Sequence, residues 1–135
     1  MKRAGWVFLI MLIIIGCLWA AGYLPAYILN TGSMEPEFIG GDVVLLKRYS
    51  GEGVEVGDII VFRSLWKDKR IFHRIVEIST EGYITKGDNN GYLDYNIQTD
   101  KDIEAIFLFK IPLGKITFFN WLSEKATEKY LAENN

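Results

Sequence analysis

The strongest constraint on this chain lies at its front. No Asp, Glu, Lys or Arg occurs between Arg3 and Glu35, and Gly5 to Leu24 is almost wholly apolar. At 1.5 Å of helical rise per residue, about 20 such residues reach roughly 30 Å, the hydrocarbon thickness of a bilayer. Trp6 near one end, with Trp19 and Tyr23 near the other, suits the preference of aromatic rings for membrane interfaces. Lys2 and Arg3 favour a cytoplasmic N-terminus. The run predicts one single-pass anchor within residues 1–28, with residues 29–135 outside the cytoplasm.

Two other readings start from the same run. A cleaved secretory leader would have the basic start, the apolar middle and the small residues Ala20-Ala21-Gly22. A lipoprotein signal is suggested by Ile14-Ile15-Gly16-Cys17. Both expect polar sequence after the cut, whereas Tyr23, Leu24, Ala26, Tyr27 and Ile28 prolong the apolar run. The anchor therefore accounts for more of the sequence, and Cys17 is then an ordinary apolar residue of the span.

With 135 residues, the chain has room for one small domain beside the anchor. The net charge of −2 leaves no electrostatic footprint for nucleic acid. A single cysteine excludes an intrachain disulfide framework. A single histidine, His73, excludes a multi-histidine metal site and must serve any imidazole chemistry.

After the anchor the signals are those of strands. Asp42 to Lys47 follows the Gly40-Gly41 turn, and Asp58 to Arg63 follows Gly57. Arg70 to Ile78 alternates so that Ile71, His73 and Ile75 share one face, while Phe72, Arg74 and Val76 share the other. Glu81-Gly82 turns this strand into Tyr83 to Lys86 as a hairpin. Gly87-Asp88-Asn89-Asn90-Gly91 is a dense turn signal, and Asp94 lies in the polar loop that follows. Ile103 to Ile111 is a late strand ending at Pro112, and Ser123 to Glu133 suits a short surface helix. The aromatic stretch Ile116 to Leu122 is too short for a second span but could rest at a lipid interface. The expected fold is mostly β: a small antiparallel β domain on one N-terminal transmembrane helix, with a short C-terminal helix.

Between anchor and first strand lies Thr31-Gly32-Ser33-Met34-Glu35-Pro36, a turn presenting a hydroxyl. A chain extends no more than about 3.6 Å per residue, so Ser33 must lie within roughly 30 Å of the bilayer surface. Ser33 as a nucleophile needs a base, because a free hydroxyl attacks weakly near neutral pH. His73 is the residue whose ordinary pKa suits that work. Asp88 and Asp94 are candidates to orient its ring. The backbone N–H of Ser33 and the hydroxyl of Thr31 are candidate oxyanion donors. Each residue also has a plain structural reading: a turn serine, a core histidine, a turn-forming aspartate.

Taken in order behind an apolar anchor, Thr31-Gly32-Ser33-Met34-Glu35-Pro36, His73-Arg74 and Lys86-Gly87-Asp88-Asn89-Asn90 resemble the type I signal peptidases. The similarity is to the archaeal and endoplasmic-reticulum branch, in which histidine replaces the catalytic lysine of typical bacterial enzymes. It runs to about Phe109 and is weak beyond. The resemblance implies that Ser33 is the acylating nucleophile, His73 the general base, Asp94 the third member of the triad and Asp88 a supporting acid. It implies hydrolysis of signal peptides from secretory preproteins at the outer face of a cell membrane, or the lumenal face in a eukaryote. It implies no metal, nucleotide or other cofactor, and it leaves room for association with the secretion machinery. The family often has serine where Thr31 stands, and threonine keeps the hydroxyl. The alternatives are a serine–lysine peptidase using Lys69 or Lys86, and a membrane-tethered β module that only binds.

Overall fold

The computed structural model describes residues 2–27, 32–64 and 69–133, and for residues 2, 3 and 24–27 the backbone alone. Thr31 therefore lies outside the described residues. The elements in chain order are helix α1 (Lys2–Ala20), strands β1 (Tyr23–Tyr27), β2 (Val43–Arg48), β3 (Ile59–Arg63), β4 (Arg70–Ser79), β5 (Gly82–Lys86) and β6 (Ile103–Ile111), a 3₁₀ turn (Leu113–Lys115) and helix α2 (Thr117–Glu133). The strands form one antiparallel sheet in the order β1-β2-β6-β3-β4-β5. The mostly β reading of the sequence thus holds.

β3 is the core of the sheet because it is apolar on both faces. Ile59 and Val61 join Met34, Phe38, Val44, Leu46 and Ala105 in one cluster. Ile60 and Phe62 join Ile75 and Ile103 in the other. A strand with neighbours on both sides and packing on both faces reads as a continuous hydrophobic run, here Ile-Ile-Val-Phe.

The apolar front departs from the sequence expectation. Helix α1 has 19 residues and stops at Ala20, not Leu24. Gly22 takes φ of +86°, the left-handed turn that ends helices, and its carbonyl accepts the Arg48 N–H at 2.8 Å. The chain then enters the sheet as β1, pairing Tyr23 with Lys47 and Tyr27 with Val43. Pro25 is tolerated because β1 is an edge strand. Among the described residues, no helix is long and apolar enough to cross a membrane. The side chains of α1 from Ala4 to Ala20 are nevertheless all exposed.

The C-terminal helix is longer than expected. With 17 residues, α2 absorbs the aromatic stretch into its first turns, leaving Phe118 and Trp121 exposed. Buried Asp42 accepts the N–H of Ile39 at 3.2 Å and of Gly114 at 3.0 Å. These bonds stitch the turn before β2 to the 3₁₀ segment leading into α2, so no cation is needed beside this carboxylate.

Candidate active site

The serine turn is held from its downstream side. Met34 and Phe38 are buried beneath it, and the Phe38 N–H bonds the Met34 carbonyl at 3.0 Å. Phe38 meets Phe72 of β4 and Phe107 of β6 edge-on, each at 5.1 Å between centroids. Lys110 lies over the Phe38 ring and donates to the Glu37 carbonyl. Ser33 itself is half-buried. The turn is thereby packed against the sheet.

The Gly-Asp-Asn-Asn loop closes on that turn. The Asn89 backbone N–H bonds the Ser33 carbonyl at 2.9 Å, and its side-chain amide bonds the Gly32 carbonyl at 3.0 Å. Gly87 sits where loop, turn and histidine meet. A Cβ there would stand 2.7 Å from the Ser33 carbonyl oxygen and 2.9 Å from His73 Nε2. Both distances are too short for any side chain, so glycine is required by this close approach. The same two contacts put His73 Nε2 and the Ser33 backbone around a single point.

His73 is buried on β4, with 7 % of its surface exposed. Its Nδ1 meets Asp94 Oδ2 at 2.7 Å. With the Asp94 carboxylate as acceptor, Nδ1–H is the donor of this bond, and Nε2 is the nitrogen on the Gly87 side. Asp94 is in turn bound by Thr85 of β5: its N–H donates to the Thr85 carbonyl at 2.8 Å, and the Thr85 hydroxyl donates to Oδ2 at 2.6 Å.

Asp88 does not meet the histidine. It takes both Nε and a terminal nitrogen of Arg74, at 2.9 and 2.7 Å. Arg74 also bonds Glu37 Oε2 at 3.0 Å and the Gly57 carbonyl at 2.9 Å. The bond to Asp88, with Glu37 adding to it, holds the guanidinium pKa above its already high ordinary value. Arg74 thus ties the serine turn, the β2–β3 connection and the Gly-Asp-Asn loop together.

The two lysines lie elsewhere. Lys69 rests over the Tyr130 ring of α2 at 4.7 Å. Lys86 pairs across the hairpin with Arg74, so it shares Arg74's face rather than that of His73.

Of the residues singled out by sequence, His73 meets Asp94 directly and its Nε2 lies near the Ser33 backbone at Gly87, while Asp88 is set aside on Arg74. Glu37, Thr85 and Lys110 were not singled out. Thr85 alone carried a signal: it is a polar residue on the inward face of the β5 alternation.

The family model for signal peptidase, peptidase S26, matches residues 1–81, which include Ser33 and His73. The chain belongs to the peptidase S26 family. It is similar to the signal peptidase complex catalytic subunit SEC11C of Homo sapiens, 34% identical over 71 residues, covering 49% of this chain and 37% of that protein. It is similar to signal peptidase I W of Bacillus subtilis (strain 168), 35% identical over 97 residues, covering 67% of this chain and 50% of that protein. The SEC11 catalytic subunit of Zygosaccharomyces rouxii is 31% identical over 119 residues, covering 78% of this chain and 70% of that protein. The chain thus spans well under half the length of the human relative and half that of the Bacillus one.

Proposed function

We propose that this chain is a membrane-bound serine endopeptidase that removes N-terminal signal peptides from secretory preproteins. The observation that carries the reading is the His73 ring, bound at Nδ1 by Asp94 at 2.7 Å while Nε2 faces the Ser33 turn across Gly87. Membership of the signal peptidase family supports the substrate class.

In the proposed cycle, Ser33 Oγ attacks the scissile carbonyl as His73 Nε2 takes the hydroxyl proton. Asp94 stabilises the imidazolium. The Ser33 N–H and the Thr31 hydroxyl are the proposed donors to the oxyanion. The tetrahedral intermediate collapses to an acyl-enzyme as His73 returns the proton to the leaving amine. Water, deprotonated by the same nitrogen, then releases the acyl group and restores Ser33. Asp88 supports through Arg74.

Helix α1 is the proposed anchor. The proposal rests on the exposure of its side chains from Ala4 to Ala20, not on its length. Trp6, Phe8, Leu9 and Ile10 through Ile15 have no protein cover, and lipid is the solvent that suits such a surface. Lys2 and Arg3 favour the cytoplasmic side for its start, which puts the sheet on the outer or lumenal face. A signal peptide lying in the same bilayer would present its cleavage site there. By likeness to relatives named as complex subunits, association with other secretion components is part of the proposal.

The test is cleavage of a preprotein by wild type, Ser33→Ala and His73→Ala side by side. Both variants are expected to lose at least about 10³-fold in rate. Lys69→Ala and Lys86→Ala are expected to keep most activity. Survival in His73→Ala with loss in either lysine variant would favour a serine–lysine peptidase. Survival in Ser33→Ala, with no labelling by an acylating serine reagent, would favour a binding module.

A further inference from the structure

Thr85 is fully buried on β5 and pairs with Ile75 of β4, which places it on the same face as His73. A core position of this kind is ordinarily filled by valine, which has the shape of threonine without the hydroxyl. A buried hydroxyl needs a partner, and this one has taken the acid of the site: Thr85 Oγ1 donates to Asp94 Oδ2 at 2.6 Å. The same oxygen receives His73 Nδ1 at 2.7 Å. A third bond, from the Asp94 N–H to the Thr85 carbonyl at 2.8 Å, fixes the backbone of the acid to the same residue.

We propose that Thr85 is a positioning residue which, through Asp94, holds the His73 ring in its Nδ1–H tautomer. The reading rests on the peptidase function proposed above. With Oδ2 shared by two donors and the Asp94 backbone clamped, the carboxylate cannot turn about its Cβ–Cγ bond without breaking both side-chain bonds. Held in this way, it fixes the proton on Nδ1 and leaves Nε2 unprotonated on the side of Ser33. Without the hydroxyl the carboxylate can swing. The neutral ring then exchanges toward its Nε2–H form, which cannot accept the serine proton.

His73 is the chain's one histidine, so its ring ¹⁵N signals are read without assignment ambiguity. The full chain in detergent micelles is compared as wild type, Thr85→Val and Thr85→Ser, at a pH where the ring is neutral. The expected result is a wild-type ring dominated by Nδ1–H, a mixed population in Thr85→Val, and recovery in Thr85→Ser, which restores the donor. In preprotein cleavage, Thr85→Val is expected to lower kcat by about tenfold, the scale of one hydrogen bond to a charged group, with KM nearly unchanged. Thr85→Ser is expected to regain most of it. A Thr85→Val ring with wild-type ¹⁵N shifts, or a Thr85→Ser protein no nearer to wild type than Thr85→Val, overturns the assignment. The two failures are separable: an unmoved tautomer counts against Thr85, whereas cleavage surviving in Ser33→Ala counts against the peptidase reading.

Discussion

His73 and Arg74 are neighbours on β4 that point to opposite faces of the sheet, and each takes one carboxylate from the loop after β5. On one face, Asp94 meets a buried ring whose proton can move. On the other, Asp88 meets a half-buried guanidinium whose proton cannot, since its pKa is pushed further up by the pair. A carboxylate beside imidazole decides where a proton sits. A carboxylate beside guanidinium decides only where a loop sits. In the proposed mechanism, two acids of similar appearance in sequence have unequal work: Asp94 proton chemistry, Asp88 the fastening of the serine turn to the sheet.

The comparison breaks most sharply at Asp94. Asp94→Asn keeps the shape but can present an N–H to the ring, favouring the wrong tautomer. A loss of about 10³- to 10⁴-fold in kcat is expected, with the thermal midpoint near that of wild type. Asp94→Ala should likewise cost more activity than Asp88→Ala. Equal losses in the two alanine variants, measured by preprotein cleavage, would erase the distinction.

Arg74→Met keeps much of the stem and removes the fork that joins Asp88, Glu37 and Gly57. Because the group is about a quarter exposed, solvent screens part of the loss. About 1 kcal/mol of stability is expected to go, a fall of a few degrees in Tm. Activity is expected to drop roughly tenfold through a loosened serine turn, while the His73 tautomer stays as in wild type. A shifted tautomer in this variant would mean that the two faces are coupled.

How much of this was legible in the sequence follows from which contacts are local. Runs such as Ile59-Ile60-Val61-Phe62 and Ile103 to Ile111, bounded by turn residues, announced their strands within a residue or so. Tyr23 to Tyr27 did not. It prolongs an apolar run, contains Pro25, and becomes a strand only because β2 pairs with it from about twenty residues downstream. That β6 would insert between β2 and β3 is likewise a long-range choice that no local pattern encodes. At the site, Ser33, His73 and the two acids stood out by residue type. Thr85 and Glu37 looked like strand and turn residues, because their roles depend on Asp94 and Arg74 being folded against them.

Asp88→Asn tests the same contrast more gently. An amide can still accept from Arg74, so part of the clamp survives, and a loss of about three- to tenfold in kcat/KM is expected. A loss as large as that of Asp94→Asn would place Asp88 in the proton chemistry after all.

The smallest effect belongs to a third acid of the loop, Asp100, which faces neither ring nitrogen nor guanidinium. Its Oδ1 accepts the hydroxyls of Tyr49 at 2.6 Å and Tyr83 at 2.7 Å. The bond from Tyr49, then that from Tyr83, holds the Asp100 pKa below its ordinary value. The bond to Asp100 raises both tyrosines above theirs. A depressed carboxylate stabilises the fold above its unfolded pKa of about 3.9, and that contribution fades as pH falls through the lower folded value. Raised tyrosines stabilise it below about pH 10, and theirs fades as pH rises through the higher folded values. Asp100→Ala is therefore expected to melt slightly below wild type between about pH 5 and 9 and to converge with it at both extremes. Thermal melts across that range check the sign. A gap of constant size at every pH would mean that the loop is held by packing rather than by these three groups. Asp100 would then have no place in the comparison of acids with which His73 and Arg74 began.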